Sequence, residues 1–308
     1  MLGTTEHRLA RQMPPSPPEG EGRGGGDPHL SLPHLSLPHR LLQQRSSAIG
    51  LTILAVFAAV AIVAPLVLHF DPSHQDLDNV LLPPSPAHPL GTDNYGRDEL
   101  LALVFGARAT LGLGVLAVAV GLAAGVPLGA LSGYAGGWVD VVVQRFAEIL
   151  LAFPSIVLAL ALVAGLGPGL RNVVIAVGVG SIPGFIRVVR AGALQVRVLM
   201  YVEAARALGV PRWSILLRHV LPNTAAPVIV QASVQMGVAI LVAAGLGFFG
   251  LGVQPPTPEW GQLLGEAHTY IFRDAALATF PGLCILLVVL ALNLTGDGLR
   301  DALDPRLG

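Results

Sequence analysis

Lysine is missing from this 308-residue chain: all 18 of its basic residues are arginines. A P-loop needs its lysine on the nucleotide phosphates, so the chain carries no Walker A site. Cysteine is almost missing. The lone Cys284 excludes an intrachain disulfide, a CxxC redox pair and a multi-cysteine metal site, and its apolar setting suits a small buried hydrophobe. Charge of either sign is scarce, at 12% of residues against 53% hydrophobic. A soluble domain carries about a quarter charged residues, so the deficit points to a bilayer. The net charge of −1 says nothing in favour of nucleic acid, and no such partner is expected.

Residues 1–45 differ from the rest. "PPSPPEGEGRGGGDPHLSLPHLSLPHR" is rich in Pro, Gly and charge and contains a short "LSLPH" repeat, which predicts a disordered arm. His29, His34 and His39 recur every five residues there; a solvated arm is preferred over a metal-binding tail. No cleavable signal is visible, because the first long apolar run starts only near Ala48 and is long enough to span.

A hydrocarbon core of about 30 Å takes about 20 apolar residues per helix. Uncharged runs predict six such helices. They are Ala48–Leu68, a run from Ala109 with its helix ending near Leu131, a segment within Ile149–Leu170, Asn172 to about Val189, a segment from after Pro222 to about Gly245, and Ala275–Thr295. Only helices or closed barrels satisfy every backbone group in lipid, and these runs are too long for barrel strands. The expected organisation is therefore an arm (1–45), a first helix with its outer loop (46–107), a core (108–297) and a tail (298–308). With the N-terminus cytoplasmic, fourteen arginines fall inside and only Arg97, Arg108, Arg171 and Arg273 outside. Without the arm's first four, the balance is still ten against four, which predicts that both termini are cytoplasmic.

Between the fourth and fifth helices lies "YVEAARALGVPRWSILLRHVLPN", residues 201–223, a charged segment between two strongly apolar stretches. Val198, Val202, Ala205 and Gly209 recur at helical intervals, while Glu203 and Arg206, three apart, are placed to pair weakly on another face. Ala204 and Ala205 leave the helix shallow enough for a foreign backbone to approach. Gly209 suits a helix C-terminus and Pro211 the first position of a new helix. The loop at 196–222 thus predicts helix, sharp glycine turn, second helix and a stop at Pro222. Spacing alone does not choose between a connector whose arginines hold topology and a docking element.

"EAARALGVPRWSILLRHVLP" resembles the EAA loop of the permeases of ABC importers. The resemblance places the motif on Glu203, Ala204, Ala205 and Gly209, closed by Leu221 and Pro222; His219 stands where the family often has Ile. "HPLGTDNYGRDEL" (88–100), "GFFGLGVQPPTPEWGQLL" (247–264) and "NLTGDGLRDALDPRL" (293–307) add a likeness to the dipeptide, oligopeptide and nickel branch, and within it to the C-type subunit. It covers about residues 46–308. It implies an all-α integral membrane protein of the type I importer permease fold, in the bacterial inner membrane. The partners it implies are a B-type permease, two cytoplasmic ABC ATPases that dock on the loop, an extracytoplasmic solute-binding protein and membrane lipid. ATP and Mg would belong to the ATPases, leaving this chain non-catalytic and without a cofactor or metal. Peptides are the expected solute, with nickel and glutathione as alternatives.

Other polar groups have plainer readings. "PPTPEWG" predicts a rigid outer loop or a contact for the binding protein, with Trp260 at the membrane–water interface. His88, Asp93 and Asp98 do not have a spacing that demands a metal. Gln231 and Gln235, one turn apart on the fifth helix, can line a solute path or hydrogen-bond between helices, and packing is the preferred reading. The "GLGLG" and "GLGFFGLG" stretches permit close helix contact and follow no strand, so they are not dinucleotide loops. An ion-coupled secondary transporter would want ionisable residues at midplane, and the six runs hold essentially none. A membrane enzyme would need clustered acids, histidines or a nucleophile with its base. Only His69, His74 and His88 gather, without such a pattern.

Overall fold

The computed structural model of the chain describes Leu41 and residues 44–303. Residues 1–40 of the arm, its three histidines among them, and the last five residues of the tail lie outside the described residues. Ten helices follow in order among those described: α1 (Arg45–Val67), α2 (Glu99–Ala135), α3 (Gly137–Leu151), α4 (Ser155–Leu166), α5 (Leu170–Val196), α6 (Met200–Ala207), α7 (Arg212–Ile215), α8 (Leu221–Phe248), α9 (Trp260–Ala267) and α10 (Ala276–Leu303). No strand ladder forms among them; a lone bridge joins Thr92 and Asp98.

Five stretches are long and apolar enough to cross a bilayer: α1, α2, α5, the continuous stretch Arg212–Phe248, and α10. The predicted third span is different. It is a pair, α3 and α4, bent by 88° at Ala152–Pro154, and it makes a sixth passage only if both halves count as one. Pro154 supplies no N–H and pushes the residue before it out of the helical region, which breaks the apolar run where hydropathy shows no interruption. Several helices also outrun their predicted ends. α2 begins at Glu99, where Asp98 caps it by accepting from the Leu101 N–H at 2.9 Å. α10 continues to Leu303, beyond the apolar run.

Lipid tails are as apolar as leucine, so hydrophobicity alone does not bring such helices together; close van der Waals contact does. α2 presents Gly121, Gly125, Gly129 and Gly133, one per turn, to α5. A methyl group on Gly125 would sit 2.6 Å from the Phe185 Cβ, and one on Gly129 2.7 Å from the Ile186 carbonyl. At the far end, Gly261 of α9 lies on the Ala244 backbone of α8, and Gly265 lies on Phe248. Side chains such as Ile62, Leu66, Leu286 and Leu290 stay exposed, as a lipid-facing surface requires.

The start of α1 and the end of α10 meet, with the Gln44 Nε2 donating to Asp301 Oδ2 at 2.7 Å. α2 returns to that same end of the bundle. The elbow between α5 and α8 packs there on Tyr134 of α2. The opposite end is closed by the loop after α1 and by α9. Arg97, only 6% exposed, donates from Nε to Asp93 at 2.6 Å and from Nη2 to Glu266 at 3.2 Å. Trp260 is fully buried rather than interfacial: its indole N–H donates to the Leu103 carbonyl at 2.9 Å, and Phe57 packs edge-on against it. The cause is α9, which folds back between α2, α8 and α10 and carries Trp260 inward.

Candidate functional site: the helical elbow

α6 begins after extended Leu199 and ends in a Schellman turn. The Val210 N–H donates to the Ala205 carbonyl and the Gly209 N–H to the Arg206 carbonyl, both at 3.0 Å. Gly209 has φ of +76°, the left-handed position that this turn needs and that glycine adopts without strain. Pro211 stands just before α7 rather than inside it. Beyond this point the expected stop does not occur. α7 passes through a π turn, Leu216–Val220, straight into α8. Pro222 cannot donate and its ring crowds the preceding carbonyls, and the wider turn relieves both. Leu221 accordingly bonds five residues back, to the Leu216 carbonyl. Pro222 thus lies inside one continuous helical stretch, directly after the wide turn that accommodates it.

Val202, Ile215, Leu216 and Val220 are buried against Val189, Ala193 and Val196 of α5 and Ala130 of α2, so the elbow is clamped to the bundle. Its other side is bare. Met200 is 86% exposed, Leu208 83% and Trp213 65%. The predicted motif residues divide accordingly. Glu203, Ala204, Gly209 and Pro222 are exposed, whereas Ala205 and Leu221 are half-buried and pack on the bundle. His219 is half-buried with its ring 5.8 Å from that of Tyr201, and Asn223 bridges from the His219 carbonyl to the Tyr201 hydroxyl.

Glu203 and Arg206 do not pair. The Arg206 guanidinium lies 5.2 Å from the centre of the Tyr134 ring instead. With Arg212 and Trp213 it walls a cavity of about 390 Å³ between the elbow and the last turns of α2, closed on the apolar side by Leu131 and Leu216. Beside it, Arg190 of α5 holds Asp140 of α3 through two bonds of 2.6 and 2.7 Å, and Ser132 of α2 donates to the same carboxylate. Arg197 donates to the Gly133 carbonyl at 3.0 Å. Tyr134 is an elbow neighbour that no local sequence signal could reveal, because Arg206 lies tens of residues away.

Gln231 and Gln235 stand apart from the elbow, on α8. Gln235 donates to the Ser181 hydroxyl of α5 at 3.1 Å, and both amides lie over Gly184, where a methyl group would meet Gln231 at 3.0 Å. At the α9 end, His88 pairs with Asp98 at 3.0 Å and Asp93 with Arg97, and no cluster able to hold a metal occurs among the described residues. Burial pushes the Glu259 carboxyl above the usual glutamate range, against the bonds it accepts from the Gly261 and Gln262 N–H groups and from Thr110. Burial raises Glu266 likewise, opposed by Gln262 and Arg97.

The chain resembles known proteins over most of its length. Residues 125–308 match the model of the binding-protein-dependent transport system inner membrane component, and residues 39–84 match the N-terminal TM domain of oligopeptide transport permease C. A dipeptide transport system permease protein, DppC, from Alkalihalophilus pseudofirmus is 44% identical over 87% of this chain and 88% of its own. A glutathione transport system permease protein, GsiD, from Pectobacterium atrosepticum is 45% identical over 87% and 89%. Among solved structures, an inward-facing conformation of the MetNI methionine ABC transporter superposes with a TM-score of 0.56 at 20% identity. It covers 67% of this chain and 98% of that one, a likeness of fold.

Proposed function

Because the chain belongs to the family of binding-protein-dependent transport system inner membrane components, a multi-pass family of the bacterial inner membrane, we propose that it is one half of the pore of an ATP-driven peptide importer. A second, B-type permease forms the other half, a solute-binding protein delivers the peptide at the α9 end, and two cytoplasmic ATPases grip the elbow. ATP and Mg act on those ATPases, and this chain catalyses nothing itself. Both termini then face the cytoplasm, in keeping with the arginine balance. Peptide as the solute is supported by the 44% identical dipeptide permease; glutathione, itself a small peptide, is the second reading, supported by the 45% identical glutathione permease.

The observation that carries the docking role is the division of the elbow. One side is anchored by Val202, Ile215 and Val220, and the other leaves Glu203, Ala204, Leu208 and Gly209 exposed on a shallow surface. Closure of the ATPases on ATP would push that surface, and because the elbow is covalently one piece with α5 and α8, both helices would tilt. Gln231 and Gln235, at the contact of these two helices, are where the tilt would open or close a solute path. In the test, Cys284 is replaced by Ala and a single cysteine is placed at residue 204. Crosslinking in intact membranes is expected to capture an ATPase subunit, with yield changing on ATP. Labelling of residue 204 from the outside only, with no ATPase captured, sinks the reading.

A further inference from the structure

The cavity under the elbow is built from donors. Tyr134, Arg206, Arg212 and Trp213 supply its polar wall, and no carboxylate lines it. No ion pair among the described residues includes Arg206 or Arg212. The Tyr134 hydroxyl is buried and has no hydrogen-bond partner among the described residues, although a buried hydroxyl without a partner is costly. Two guanidinium groups and an indole around one space, with the closed-off Tyr134 hydroxyl behind its wall, call for an occupant rich in acceptor oxygens and negative charge. Planar guanidinium forks fit the oxygens of a phosphate in pairs.

The position of the cavity says where such a group comes from. Tyr134 lies in the last turn of α2, a membrane-spanning helix, so the cavity opens at the level where hydrocarbon gives way to water. Leu131 and Leu216 make its deeper wall apolar. The exposed tip residues Ala204, Leu208 and Gly209 do not line it; exposed Trp213 stands at its edge, between the cavity and the bare side of the elbow. Basic pockets between membrane helices on the cytoplasmic side take anionic headgroups in this way. We propose that this cavity is a phosphate site, occupied by the headgroup of an anionic phospholipid. The inference goes beyond the docking role and does not depend on which protein touches the tip.

The importer is purified with whatever subunits accompany it and placed in nanodiscs of phosphatidylcholine, alone or mixed with phosphatidylglycerol. Native mass spectrometry then counts the lipids retained after extraction. The double variant Arg206→Gln, Arg212→Gln is expected to lower the retained ratio of phosphatidylglycerol to phosphatidylcholine about tenfold. Tyr134→Phe is expected to lower it less, and the double change to Lys to keep most of it. All three should keep the parent's thermal midpoint in phosphatidylcholine alone, which separates loss of a site from loss of the fold. An unchanged ratio in the Gln variant overturns the proposal. Loss of the ATPase from that variant at an unchanged ratio also overturns it, and makes the arginines a protein contact. Stabilisation by inorganic phosphate in phosphatidylcholine alone, without enrichment of phosphatidylglycerol, keeps the phosphate site and overturns the lipid as its source.

Discussion

The two ends of this helix bundle treat polar groups in opposite ways. At the α9 end the buried charges are mostly answered within the chain: Arg97 by Asp93 and Glu266, and Glu259 by two backbone N–H groups and Thr110, while half-buried His88 pairs with Asp98. Buried Glu99, whose Oε1 lacks a partner among the described residues, is the exception. At the elbow, Arg206 and Arg212 have no ion pair among the described residues, and Met200, Leu208 and Trp213 project outward. A burial cost met internally favours a fixed structure. Groups left open favour an encounter with something else.

Changes at the two ends should therefore fail differently. Trp260→Ala removes a fully buried ring together with its bond to Leu103, and is expected to cost about 3–5 kcal/mol. The measurement is the thermal midpoint in detergent, which should fall along with the yield of folded protein. Ala204→Glu, on the bare side of the elbow, should change that midpoint by less than about 0.5 kcal/mol equivalent while abolishing peptide uptake into energised vesicles. Uptake that survives this change would erase the contrast between the ends. Ala204 is a cleaner probe than Ala205, whose side chain packs on the bundle and would confound docking with folding. Gly209→Ala, at φ of +76°, is expected to cost about 1–2 kcal/mol through backbone strain, read as faster proteolysis confined to the elbow.

The smallest effect concerns pH. The folded pKa of Glu266 is raised by burial, so its contribution to stability is fully present below the ordinary value of 4.5 and is lost as pH rises through the folded value. Glu266→Gln should flatten the fall in thermal midpoint above pH 4.5, whereas Ala204→Gln at the elbow should leave that slope unaltered.

Much of this was legible in the sequence because it is local. Apolar runs announced the long helices, and the sequence Gly209-Val210-Pro211 announced the sharp turn. What was hidden depends on distance or on single prolines. The apolar run across Ile149–Leu170 looked continuous, yet Pro154 turns it through 88°. Pro222 looked like a terminus, yet a π turn absorbs it. Trp260 looked interfacial because the return of α9 into the bundle rests on Gly261 and Gly265 meeting residues of α8, a pairing that no window of neighbouring residues contains. The same holds for the elbow, where the motif marked Ala204 and Ala205 alike and only packing sets them on different sides.

The unbroken run from Arg212 to Phe248 has a mechanical consequence. At 1.5 Å per residue, its 37 residues make a rod of about 55 Å, so a single element belongs to both ends of the molecule. Its two weak joints, the π turn and Pro227, both lie in the half nearer the elbow, and from Pro227 to Phe248 it has no further proline at which to flex. A shove delivered near Leu208 would accordingly be felt as leverage at Gly247, where the rod abuts α9, so that a motor gripping the elbow would signal to whatever rests on the far cap.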